Sequence, residues 1–245
     1  MSENKNVLSF WQSTGADIKF LMLILVGFML LIFDQHVTCS WLNGIYPAFQ
    51  QSYNINEEFQ LYTLNYVFGM KANIYEYSIG EISYHLKVDI FPDLIGYIFI
   101  TIGLLKLSGK TKIFNISAMT SMFSIILYVV IRLLPFIFNG EQLSYLCFWL
   151  VIAQFGLDIC IGYMFVYGIC DLLQGYQYVR DRKAIGISWF VTVIVNAAVL
   201  LLSWLSAVIN PALLTFYNMF DLAVNLLFFY FVFRIRDYIF GYRKA

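Results

Sequence analysis

Arg132 is a full charge inside a long apolar run, 113–138. Stepping back from it at helical spacing gives Tyr128, Ser124, Ser121 and Ser117. These five residues fall on one stripe of a helix whose other faces carry Ile, Leu, Val, Met and Phe. Three later apolar runs offer polar company. Gln154 and Asp158 are one turn apart. So are Thr192 and Asn196, with Ser203 two turns further on. Asn218, Asp221 and Asn225 share a third face. An ionised Asp in the middle of a membrane helix costs roughly 2.5–3.5 kcal/mol on insertion scales, so it must face water or a partner.

Two kinds of chemistry fit such a set. One is a polar site, opening outward between spans three to six, that binds or gates a polar solute. The other is a packed seam in which Ser, Asn and Asp join helices by hydrogen bonds. Arg132, Tyr128, Gln154, Asp158, Asn196, Asp221 and Asn225 are the expected site residues. At about 1.5 Å per residue, Arg132 lies about 9 Å below the outer end of its span, Asp221 roughly 12 Å and Asp158 roughly 22 Å. Depth alone therefore pairs Arg132 with Asp221. Arg132 could also reach up to the outer surface along its own stem.

Other chemistry-bearing residues are sparser. Glu81, His85 and Asp89 follow one another at four-residue spacing and are metal-ligand types, with His36 and Asp34 as further contributors. On a helix they drift by about 80° over two steps, so a solvated charged face is the expected reading and no metal is assigned. Cys39, Cys147, Cys160 and Cys170 form no C-x-x-C pair, which argues against the usual thiol oxidoreductase motif. Cys39 and Cys147 both fall near the outer side, where a disulfide could join them; free buried thiols are the expectation. The sequence contains no phosphate loop, G-x-S-x-G or H-E-x-x-H, and no nucleophile stands beside a base. No enzymatic activity and no cofactor are expected.

The elements that must position these residues follow from composition. The chain has 245 residues, 61% hydrophobic and 12% charged. Soluble domains carry roughly 25% charged residues, so the class is an all-α integral membrane protein. Formal net charge is zero, and no nucleic-acid partner is indicated. Six spans are expected: 17–33, 91–107, 113–138, 143–173, 184–209 and 213–233. The first resembles a signal-peptide core, but no small-x-small site precedes Cys39, so it is read as an uncleaved helix. Gly96, Gly103, Gly156, Gly162 and Gly168 give no G-x-x-x-G and are read as close helix contacts.

Lys and Arg set the orientation. With the N-terminus inside, Lys5, Lys19, Lys106, Lys110, Lys112, Arg180, Arg182, Lys183, Arg234, Arg236, Arg243 and Lys244 fall inside, and Lys71 and Lys87 outside. That alternation is the positive-inside pattern, with both termini cytoplasmic. The whole chain, 1–245, is one membrane domain interrupted by the outer connection 35–92. There, Asn54 with Glu57 and Ser78 with Glu81 are capping-box patterns, and two short amphipathic helices are expected, 54–69 and from Ser78 towards Ile90. A re-entrant element is the rival reading. Pro92 and Asp93 suit the start of the second span.

The stretch Val88-Asp-Ile-Phe-Pro-Asp-Leu-Ile-Gly-Tyr97 resembles a pattern of small bacterial multi-spanning membrane proteins of unassigned activity. That resemblance implies a multi-pass protein of the bacterial plasma membrane and assigns no functional residue. Two functions fit the residues. One is a small permease- or channel-like transport subunit, needing to dimerise or join a larger membrane complex, with Arg132 and Asp221 handling the solute. The other is a non-transporting regulator, sensor or protective partner that binds through its outer aromatic loop.

Overall fold

The computed structural model describes residues 19–31, 36–39, 71–75, 78–83, 86–89, 93–138, 140–173, 179–204 and 211–239. Six helices dominate it: α1 Lys19–Leu31, α2 Asp93–Leu107, α3 Lys112–Leu133, α4 Gly140–Leu172, α5 Val179–Trp204 and α6 Pro211–Ile239. Each apolar run of the sequence is thus a helix. Local chemistry sets several ends. Asp93 lies in the first turn of α2, where its charge suits the helix dipole. The Thr111 hydroxyl caps α3 by accepting from the Ile113 amide at 3.3 Å. Pro135 lies in the 3₁₀ turn Leu134–Phe136 that ends α3, since proline offers no N–H to continue the ladder. Pro211 opens α6, and α6 runs on past Arg234 to Ile239 rather than stopping at 233.

Among the described residues, two helical stretches are long and apolar enough to cross a membrane: Lys112–Phe136 and Tyr145–Leu172. Lys19–Leu31 is apolar but shorter.

Successive helices run antiparallel. Gly27 of α1 meets Gly96 of α2, while Phe20 and Ile24 meet Gly103. A Cβ on Gly27 would sit 2.6 Å from the Gly96 carbonyl oxygen. The expected close contact at Gly96 and Gly103 is therefore real, and Gly27 is its other half. Between α3 and α4, Phe114 packs on Phe165 and the Ser117 hydroxyl donates to the Ile161 carbonyl. One core, including Leu21, Ile24, Ile100, Phe114, Phe165 and Val232, draws on all six helices.

The connection between α1 and α2 departs from expectation. Ser78–Ser83 is a strand, not the start of a helix. It pairs with Lys71–Tyr75, with a register irregularity between Asn73 and Ile74. A second antiparallel ladder joins His36–Cys39 to Leu86–Asp89. Ile79, Ile82 and Val88 favour extended backbone, and Gly80 disfavours helix, so strand propensity overrides the capping pattern. The helix expected over 54–69 lies outside the described residues. The expected helical row of Glu81, His85 and Asp89 dissolves: Glu81 lies opposite Asn73 in one ladder and Asp89 opposite His36 in the other. His85 and Asp34 lie outside the described residues.

Candidate functional site

The site is built on Tyr97. This α2 side chain is 4% exposed, and a buried phenol needs partners. Its hydroxyl donates to the Asp158 carboxylate, at 2.8 Å from Oδ1 and 3.0 Å from Oδ2. It accepts from Gln154 Nε2 at 2.7 Å. The same amide nitrogen lies 3.5 Å from Asp158 Oδ1. One-turn spacing on α4 puts Gln154 and Asp158 on the face that meets Tyr97. Both are half-buried.

The serine stripe of α3 lets the three helices close around this group. Ser117, Ser121 and Ser124 are fully buried. Thr101 donates to the Tyr97 carbonyl and approaches the Ser121 hydroxyl, both at 2.8 Å. Ser117 and Ser121 are therefore interhelical fasteners, the bland role for small polar residues. Ser124 differs: its Oγ is buried with no hydrogen-bond partner, and so is Gln154 Oε1.

Arg132 enters through rings. Its guanidinium carbon lies 5.2 Å from the Tyr128 ring centroid, within cation–π range. Tyr128 and Tyr97 are 6.2 Å apart, centroid to centroid. Arg132 is thus linked through two tyrosines to Asp158. Because α2 and α3 run antiparallel and Tyr97 meets Tyr128, the next turn outward on each brings Asp93 and Arg132 to one level. Two opposite charges therefore stand one helical turn beyond Tyr97 and Tyr128.

Asp221 takes part in a second polar group. Asn225 Nδ2 donates to the Asp221 carbonyl at 2.9 Å, to its Oδ1 at 3.1 Å and to Asn196 Oδ1 at 3.2 Å. This group fastens α5 to α6. Thr192 Oγ1, buried one turn from Asn196, has no hydrogen-bond partner. The side chains of Asn218 and Ser203 lie outside the described residues. Cys147 is a free buried thiol, so it forms no disulfide with Cys39; Cys160 and Cys170 are also free.

Sequence reasoning found Arg132, Tyr128, Gln154 and Asp158 but missed Tyr97, Thr101 and Asp93 as members. The signal was present: Asp93, Tyr97 and Thr101 stand four apart, a polar stripe on an otherwise apolar helix. No protein-family model, curated protein or solved structure matches the chain.

Proposed function

We propose that the chain is a six-span membrane protein with both termini cytoplasmic, acting as a small permease- or channel-like subunit. Its polar solute site is the layer of Tyr97, Gln154 and Asp158, with Asp93 and Arg132 at the outer mouth. The observation that supports this is the distribution of polarity. On α3, Phe123 is 61% and Ile126 59% exposed, while Ser117, Ser121 and Ser124 are 0% exposed. Water would favour the reverse arrangement; lipid favours this one. At the centre of the inward polarity stands a carboxylate, and Ser124 Oγ on α3 and Gln154 Oε1 on its own helix are buried oxygens with no hydrogen-bond partner. A finished packing seam would have satisfied them. The bacterial plasma membrane is the setting that the Val88–Tyr97 resemblance implies.

The test is thiol accessibility in intact membranes. Single cysteines at Ser124, Asp158, Asn196 and Asn225, in a chain lacking its four native cysteines, are exposed to a small impermeant reagent from either side. Fast labelling at Ser124 and Asp158 is expected, with slow labelling at Asn196 and Asn225. Complete protection of all four in folded protein would reduce the polar set to a dry seam and sink the reading. Solute uptake with Asp158→Asn and Arg132→Gln variants then identifies the cargo.

The regulator reading draws support from the His36–Cys39 and Leu86–Asp89 ladder, which brings the two ends of the outer connection together. Replacing residues 40–70 with a short linker would abolish a partner's binding under that reading, and would spare transport under the first.

A further inference from the structure

We propose that Asp158, Gln154 and Ser124 form a binding site for one monovalent cation, either an alkali ion or an ammonium group. This rests on the reading of the Tyr97 layer as a solute site and names what it takes. Ser117 meets Ile161 across the antiparallel α3–α4 pair. Seven residues outward from each are Ser124 and Gln154, so these two stand at one level. Tyr97 brackets the same level from α2. It touches Ser121 through its carbonyl and Tyr128 through its ring, and Ser124 lies between those two on the stripe. Ser124 Oγ and Gln154 Oε1 are both buried without a hydrogen-bond partner, and Ser124 is 0% exposed.

The chemistry of the set is specific. Tyr97 and the Gln154 amide nitrogen already supply donors to Asp158. What remains open is an amide oxygen, a hydroxyl oxygen and the spare lone pairs of the carboxylate. All are hard oxygen acceptors, which suit an alkali cation or the N–H bonds of an ammonium group and repel an anion. Charge sets the valence. Asp93 and Arg132 cancel formally one turn outward, leaving Asp158, among the described residues, as the one uncompensated charge of the layer. One positive charge balances it; a divalent ion would leave a net charge in an apolar bundle, which is costly.

The test uses the purified full-length chain in detergent. Thermal unfolding is followed in sodium, potassium or methylammonium chloride, against tetramethylammonium chloride at equal ionic strength. Tetramethylammonium is too bulky for the site and has no N–H to donate. A saturable rise in Tm of about 3–5 °C at roughly ten times Kd is expected for at least one of the three. Which salt gives it separates alkali ion from ammonium. Asp158→Asn should abolish the rise and Ser124→Ala should weaken binding at least several-fold. Equal Tm in all four salts overturns the proposal, as does a full rise in Asp158→Asn. If Asp158→Asn does not fold, an unchanged midpoint concentration in Ser124→Ala overturns it instead. The labelling experiment keeps the two claims apart. Labelled Ser124 and Asp158 positions without cation stabilisation reject the cation and leave the hydrated site. Cation stabilisation with every position protected rejects the transport reading and leaves the bound ion.

Discussion

Tyr97 satisfies two groups at once, and its removal should show that. Tyr97→Phe keeps the ring between Tyr128 and α4 but takes the hydroxyl that reaches both carboxylate oxygens of Asp158. It also leaves Gln154 Nε2 without its shortest partner. A destabilisation of about 1–3 kcal/mol is expected, read from denaturant unfolding in micelles. A loss under 0.5 kcal/mol would mean that water replaces the phenol readily. Asp93 and Arg132 make a second residue-scale prediction. Their placement at one level predicts that Asp93→Asn and Arg132→Gln are not additive, with a coupling of roughly 0.5–3 kcal/mol in a double-mutant cycle. A coupling near zero would show that each charge is solvated separately. Both positions were visible in the sequence as charges at helix ends; their shared level was not, because it depends on how α2 and α3 slide past each other.

At the scale of elements, backbone proximity decides which glycines matter. Gly96 faces the Gly27 carbonyl, and a Cβ there would lie 2.9 Å from it. Gly96→Leu must push α1 and α2 apart, and overpacking of this kind costs about 1–3 kcal/mol. Gly156, by contrast, has nothing within 4 Å of an added Cβ. Gly156→Ala should be neutral or stabilise by up to about 1 kcal/mol through helix propensity. Thermal unfolding of the two variants side by side checks the contrast, and equal effects would refute the described α1–α2 contact. All of these glycines look alike in sequence. The outer connection shows the opposite failure. Its Ser78–Glu81 capping pattern is locally sound, yet the segment is extended, because pairing with residues 71–75 supplies the backbone hydrogen bonds that a helix would otherwise provide.

For the molecule as a whole, the prediction is topological. Under the six-span reading, a phosphatase fused after Leu107 or after Ile239 should be inactive, and one fused after Phe138 active. Fluorescent-protein fusions should show the converse. An active phosphatase after Ile239 would remove one span and with it the inside placement of Arg234 and Arg236. The alternation of Lys and Arg carries this expectation, and the antiparallel contacts of successive helices agree with it.

The helices and their polar faces are legible in the amino-acid order alone. Apolar runs and four-residue spacings are properties of a single segment, and a helix brings residues i and i+4 together whatever surrounds it. Hence Gln154 with Asp158, Asp221 with Asn225, and the stripe from Ser117 to Arg132 were all legible. Only the tertiary structure decided which faces meet. Asp158 is held by Tyr97, sixty-one positions away, and Asp221 by Asn225 on its own helix, itself bonded to Asn196. The Tyr97–Asp158 contact turns on how tightly α1, α2, α3 and α4 approach at glycines and serines. That is a matter of packing between segments distant in sequence, and no spacing within any one of them records it.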